Sequence, residues 1–335
     1  MGIIIRNKGF LTTIQDLGRI GYQQFGVPAS GAMDGRSMKI ANLLVDNPED
    51  EAVVEMLLLG AQIEFSAANV IAITGADLSP AINGVPAPTY AAISVKPGDT
   101  LSFEGMRSGS HCYVAFAGGL DIPQVMGSKS TYIKAAIGGY QGRKLENSDH
   151  IPFAAPKVTL PNMRGRAFIP EDFSQSLCDI RVIMGPQEDC FTSEGIETFL
   201  SNPYTITNEF DRMGCRLEGK AITHIGDGNI ISDGIAFGAV QVPSHGKPII
   251  MLADRQTVGG YAKIATVISV DLPKLVQKSA GDKICFRAVS LEEAQALYLT
   301  ERQNIAALRD SLKGNPTGGK PDVNRILSQA ILPNQ

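Results

Sequence analysis

At 335 residues, 44% of them hydrophobic and 19% charged, the chain is too long for one ordinary core and too apolar for disorder, so two packed domains are expected. A formal charge of −4 gives no electrostatic reason to bind nucleic acid or an anionic membrane. With 35 glycines and 19 prolines and no period among them, the composition favours many tight turns between short strands, a mainly β chain.

Residues 1–11 carry Arg6 and Lys8 in a short apolar stretch without the core of a signal peptide. Asp34 is a plausible helix N-cap, with Met38, Ala41 and Val45 on one face and Asn47-Pro48 as the stop, so a helix is expected over 34–45. Strands are expected at 53–59, 70–74 and 113–117. The densest apolar run, 52–59, holds Glu55, and none approaches the ~20 residues that span a bilayer. The stretch 154–175 lacks periodicity and carries Pro156, Pro161, Gly165 and Pro170, which marks a domain boundary. Beyond it, strands are expected at 180–184, 236–242, 249–253 and 265–270, with a short helix from 271 that Gly281 ends. Ser290-Leu291-Glu292-Glu293 reads as a capping box opening a helix to about residue 312, broken at 314–321 and followed by a loose tail.

One pattern occurs three times: a turn ending in Asp, an apolar residue two on and Phe four on, at Gly98-Asp99, Ser148-Asp149 and Gly281-Asp282. Each copy is read as a strand closing a barrel-like sheet, two in the first domain and one in the second. The five cysteines (Cys112, Cys178, Cys190, Cys215 and Cys285) are odd in number and far apart, as reduced cytoplasmic thiols are. The four histidines, His111, His150, His224 and His245, show no ligand spacing, so no metal site is expected.

No recognisable cofactor motif is present. The Gly-Lys steps at Gly219, Gly246 and Gly319 are followed by Ala, Pro and Pro, which excludes a phosphate-binding P-loop. No serine lies in a G-x-S-x-G elbow. Polar residues instead gather among glycines at 12–34, 138–143, 211–219 and 241–261.

The strings TTIQDLGRIGYQQFGVPASGAMD, DRMGCRLEG and GKPIIMLADRQTVGGYAKIATVISVDL resemble the family known as the second subunit of allophanate hydrolase, biotin-dependent carboxyltransferase-like proteins or the C subunit of 5-oxoprolinase. The resemblance runs from Gly9 to Phe286, with Ser148 and Cys215 as small departures, and leaves out the C-terminal helix and tail. It implies two cyclophilin-like β-barrel domains with a few short helices; with the boundary read above these are expected over 1–165 and 176–290, followed by the C-terminal helix and loose tail over 291–335. It also implies one component of an ATP-hydrolysing 5-oxoprolinase complex, inactive alone, with ATP and Mg acting at the level of the complex. The implied partners are a companion small subunit of the kinase-inhibitor type (the B subunit), a lactam-utilisation subunit and a small amide substrate. Nucleic acid and membrane are not among them. The alternatives are a regulatory protein that antagonises a sporulation-kinase inhibitor, and a carboxyltransferase or allophanate hydrolase-type subunit acting on urea or biotin. The chain has no biotin-accepting lysine in an Ala-Met-Lys-Met context.

Lactam, urea and biotin share an N–C(=O) group, which needs donors at oxygen and an acceptor at N–H. Asp211-Arg212 and Asp254-Arg255 supply both charges within short loops and are the candidate catalytic residues; each step can equally be an ion pair that pins its loop. The candidate substrate-binding residues are Pro28, Ser30, Gly31, Arg143, Gln241, His245, Thr257, Gly259, Gly260 and Tyr261. Asp16 and Arg19 can serve only to brace the first turn. Ser30 can be a turn residue, His245 a solvated loop histidine and Tyr261 a packing residue.

Overall fold

A computed structural model describes residues 1–313 together with Asp322 and Val323. The expected break at 314–321, and nearly all of the expected tail, lie outside the described residues. Contacts divide the chain into two compact units. The first comprises Met1–Arg19, Ser30–Ser174 and, among the described residues, the chain from Thr300 on. The second comprises Ile20–Ala29 and Gln175–Leu299. Neither unit is one continuous block of sequence, because a ten-residue loop and a helix carry the chain from one to the other.

In the first unit the strands are β1 (Gly2–Asn7), β2 (Leu11–Gln15), β3 (Val53–Leu57), β4 (Gln62–Phe65), β5 (Asn69–Asp77) and β6 (Pro80–Ile82). They continue with β7 (Val85–Pro86), β8 (Ala92–Val95), β9 (Thr100–Phe103), β10 (Ser108–Phe116) and β11 (His150–Pro152). They form a six-stranded sheet in the order β11-β1-β4-β9-β6-β7 and a five-stranded sheet in the order β2-β3-β10-β5-β8. Alternation sends Ile3, Ile5, Ile63, Phe65 and Leu101 of one sheet into a shared core with Ile14, Val54, Met56, Ile71, Ile73, Val114 and Phe116 of the other.

The opposite face of the five-stranded sheet, with Val53, Val70, Ala72 and Tyr113, is covered by helix α1 (Gly35–Leu44) through Met38, Ala41 and Leu44. Asp34 caps this helix by accepting the Ser37 N–H at 2.9 Å, the role its sequence position suggests. The three Asp turns are built alike: Asp99, Asp149 and Asp282 each accept the N–H three residues back, at 2.8, 2.7 and 2.9 Å. The residue before each is left-handed, at φ 89° for Gly98, 73° for Ser148 and 95° for Gly281. Ser148 thus holds a conformation that glycine adopts without steric cost.

The second unit holds β12 (Leu177–Met184), β13 (Tyr204–Phe210), β14 (Gly214–Glu218), β15 (Asn229–Gly234) and β16 (Ala239–Gln241). It adds β17 (Ile249–Met251), β18 (Val258–Tyr261), β19 (Lys263–Val267) and β20 (Lys283–Ala288). Seven of these close a barrel in the order β12-β19-β16-β17-β14-β13-β20, sealed by the parallel pairing of β12 with β20. β15 and β18 form a separate two-stranded ribbon. Helix α2 (Ser193–Ser201), which the sequence reading does not include, is capped by Thr192 and packs Phe199 against Phe286 at 4.3 Å between ring centroids. Helix α3 (Leu272–Val276) is shorter than expected, and β16 is confined to three residues because the left-handed Gly238, at φ 86°, turns the chain into it. Helix α4 (Leu291–Ser311) starts where the capping box places it, with the Glu293 N–H on Ser290 Oγ at 3.1 Å. No helix among the described residues is long and apolar enough to cross a membrane.

Within the first unit, Arg36 is buried against two carboxylates, with Nε on Glu301 at 2.8 Å and Nη1 on Glu171 at 3.3 Å. Burial raises the Glu171 carboxyl to about 7 against the pull of Arg36, with Asp34 and Glu301 pushing the same way as burial. The folded state therefore binds a proton that the unfolded state gives up near pH 4.5, and stability is lost as pH rises from there through 7. Urea unfolding at pH 5 and pH 8 should show Glu171→Gln gaining on the wild type as pH rises; a constant difference between the two proteins would contradict the assignment.

Candidate functional site

The candidate residues of the second unit gather where the loop after β17 meets the hairpin loop between β13 and β14. Arg212 donates from Nε to Asp254 Oδ2 at 2.9 Å and from Nη2 to Asp254 Oδ1 at 3.1 Å, with both side chains 8% exposed. The Asp254 N–H also donates to the Arg212 carbonyl at 2.7 Å. The two Asp-Arg steps are thus joined crosswise, Arg from one to Asp of the other. The remaining members differ. Asp211 is exposed, and its Oδ1 accepts the N–H groups of Met213 and Gly214 in an Asx turn.

Arg255 is buried and held by neutral partners, with Nε on the Ile235 carbonyl at 2.9 Å, Nη1 on the Leu252 carbonyl at 3.2 Å and the guanidinium 5.6 Å from the Phe237 ring centroid. No carboxylate among the described residues lies in ion-pair contact with it. Burial lowers its pKa to about 10, opposed by the nearby Asp254 charge. An arginine so placed gains from any anion that reaches it.

Gln241 adds an unspent donor: it is 4% exposed and its Nε2 has no acceptor. A buried polar atom without a partner costs about 1–3 kcal/mol, so it marks a place where a ligand or water completes the structure. Gly259 makes the space, since a Cβ there would lie 2.8 Å from Gln241 Nε2 and 2.7 Å from Ile235 Cδ1. The Ile235 carbonyl accepts both Arg255 Nε and, at 3.2 Å, Gln23 Nε2 from the Ile20–Ala29 stretch of the same unit.

The other candidates distribute as follows. Thr257 accepts the Ile235 N–H through its carbonyl at 3.0 Å, while Gly260 is half-buried and Tyr261 41% exposed on the same ribbon strand. His245 is exposed and accepts the Lys247 N–H at 3.1 Å through Nδ1. Pro28 is buried in the second unit, whereas Ser30, Gly31 and Arg143 belong to the first. Ser30 has φ 55° and a buried Oγ without a partner; Gly31, at φ 93°, packs against Leu17 and Gly18. Arg143 forms a bidentate pair with Asp149 at 2.7 and 2.8 Å, over the Tyr140 ring. Asp16 accepts from Gly18 N, Ser128 Oγ, Lys129 N and Ser130 Oγ, and Arg19 donates to the carbonyls of Val125 and Ser130. Both therefore act as braces of the first turn and its neighbours.

Sequence reasoning missed Lys263, 4% exposed, with Nζ on Asp233 Oδ2 at 2.8 Å. A lysine heading the run Ile-Ala-Thr-Val-Ile was the available signal, since a strand this apolar buries both faces. Among the described residues no cluster of His, Cys, Asp and Glu could hold a metal ion. Asp254→Ala should cost about 3–5 kcal/mol in urea unfolding, because it leaves the Arg212 guanidinium buried without its counter-charge; a loss under about 1 kcal/mol would show that the pair does not hold the loop.

The "Carboxyltransferase domain, subdomain A and B" model matches residues 25–288. The chain is 36% identical to the C subunit of Escherichia coli 5-oxoprolinase over 293 residues, covering 87% of this chain and 92% of that one. It is 32% identical to urea amidolyase of Saccharomyces cerevisiae, over 99% of this chain and 18% of the relative. The solved K. lactis urea amidolyase superposes with a TM-score of 0.84 at 28% identity, over 92% of this chain, which spans only 20% of that much longer protein. With a fold, a family model and relatives that agree over most of its length, the chain belongs to the carboxyltransferase domain family of subdomains A and B.

Proposed function

We propose that the chain is one component of an ATP-dependent 5-oxoprolinase that opens the lactam of 5-oxo-L-proline to L-glutamate, its lactam site completed by a companion subunit in the cytoplasm. The observation that carries this reading is the match to the E. coli protein, the C subunit of 5-oxoprolinase, which extends over 92% of that protein. The geometry is compatible with it. Arg255 and Gln241 offer N–H donors to the carboxylate and the carbonyl oxygen of the substrate, where charge develops as the amide is attacked. Gly259 and Gly260 let backbone approach the ring, and the Asp254–Arg212 pair, with the Asp211 turn, holds that loop rigid. Thr257, Tyr261, His245 and Pro28 would shape the approach. The chain has no P-loop, so in this reading the nucleotide and its Mg are held by the companion small subunit or the lactam-utilisation subunit.

A second reading, a carboxyltransferase acting on urea or biotin, is favoured by the likeness to urea amidolyase. The two readings part on substrate. Purified alone, the chain should release neither phosphate from ATP nor glutamate from 5-oxoproline. Co-expressed with the companion and lactam-utilisation subunits it should do both, and Arg255→Ala in that complex should lower kcat by about 10²–10³, the scale of losing one oxyanion donor. Turnover by the isolated chain, or activity of the complex on urea and not on 5-oxoproline, would overturn the proposal.

A further inference from the structure

β19 begins with a cation that neither Arg255 nor Gln241 accounts for. Lys263 is 4% exposed, and a buried ammonium persists only when paired, because its lost hydration otherwise costs several kcal/mol. Its partner Asp233 is an unequal one: the Asp233 side chain is 54% exposed, against 5% for Lys263. The cation belongs to the barrel and the anion to the ribbon of β15 and β18, where the register slips between Asn229 and Asp233. Asp233 is tethered besides by the N–H of Gly234 at 2.7 Å and, weakly, by Gln187 Nε2 at 3.4 Å.

These residues close a ring. Lys263 is the cross-strand partner of Gln241, at a point where the register shifts between Val240 and Gln241. Gln241 Nε2 lies against Gly259, and Gly259 is the cross-strand partner of Asp233, which returns to Lys263. Ile235, packed on Gly259, holds Arg255 through its carbonyl. Gln241, Arg255 and Lys263 are thus linked through one ribbon glycine, Gln241 directly, Arg255 by way of Ile235 and Lys263 by way of Asp233. Asp254 has both oxygens committed to Arg212, whereas Asp233 is more than half exposed and faces solvent. A buried cation whose partner is a solvent-facing side chain, beside a buried donor without an acceptor, can exchange that anion for another.

We infer that Asp233 is a stand-in for a ligand carboxylate: an organic acid entering the site takes Lys263 Nζ from Asp233 and fills the vacant acceptor position at Gln241. The inference deepens the function proposed above by fixing its substrate class, a small carboxylic acid rather than a neutral amide, and Lys263 becomes the residue that selects for it. The exchange breaks one ion pair and forms another, with no net proton transfer.

The test is binding to the full chain, alone and in complex with its companion subunit, by calorimetry or ligand-observed NMR. The probes are 5-oxo-L-proline, its neutral carboxamide and propionate. Asp233→Asn removes the competing anion and should tighten both carboxylates roughly threefold to tenfold, the worth of a part-exposed ion pair, without changing the carboxamide. Lys263→Met should abolish the preference for carboxylate over carboxamide. Should Asp233→Asn melt early, added propionate should raise its Tm more than that of the wild type, since the ligand restores the missing charge. Carboxylate binding that Asp233→Asn leaves unchanged or weakens, or a preference that survives Lys263→Met, overturns the exchange. Propionate and 5-oxoproline separate the two claims: propionate that obeys the pattern while 5-oxoproline is ignored upholds the clamp and sinks the lactam reading. Equal binding of 5-oxoproline to both variants does the reverse.

Discussion

The crosswise ion pair between Arg212 and Asp254 is the constraint on which the second unit's site depends. It joins the β13–β14 turn to the loop after β17, and the backbone bond from Asp254 to Arg212 doubles the link. Pairing the aspartate of one loop with the arginine of the other leaves Arg255, the next residue along, with carbonyls and an aromatic face as its company. Had Asp254 paired with its neighbour, Arg255 would be neutralised and of little use to a ligand. A buried pair of this kind is not a large net source of stability, because desolvation offsets most of the attraction. What it provides is fixed geometry.

The first unit shows the same economy with different parts. Asp16 gathers four donors from the turn that follows it and from the 128–130 segment, so two distant stretches of chain are tied by one carboxylate. Arg36 is shared between Glu171 and Glu301, and burial, against the pull of Arg36 and with Asp34 and Glu301 adding to it, pushes the Glu171 carboxyl up to about 7. Both networks are buried, and each ties together stretches of chain that are far apart in sequence.

Much of this was legible in the sequence, for local reasons. Asp34 as a cap, Ser290 as the start of the last helix and the three Asp turns follow from short-range hydrogen bonds that depend on a few adjacent residues. Alternation found β3, β5, β10, β12 and β17, with ends displaced by a few residues where glycines such as Gly238 bend the chain. The exchange of partners between Asp211-Arg212 and Asp254-Arg255 was not legible, because it is a contact between residues 42 apart in sequence. Neither was the division of the Gly26–Asp34 stretch between two units, nor the pairing of Lys263 with Asp233, which depends on a ribbon whose strands are too short and polar to announce themselves. The strings that carry the family resemblance hold both Asp-Arg steps and Lys263 but not Asp233, so the neighbourhood was marked even where the contacts were not.

The proposed site thus gathers Arg255, held by carbonyls, Lys263, held by Asp233, and the unpartnered Gln241 Nε2 beside Gly259, on a loop that the buried Arg212–Asp254 pair fixes. The measurement that tests this most directly is a crystal structure of the complex grown with 5-oxo-L-proline. The account predicts the ligand against Gly259, with oxygen atoms within hydrogen-bond distance of Arg255 and Gln241 Nε2 and the Arg212–Asp254 pair unchanged. A ligand bound elsewhere, with Gln241 still lacking an acceptor, would contradict it.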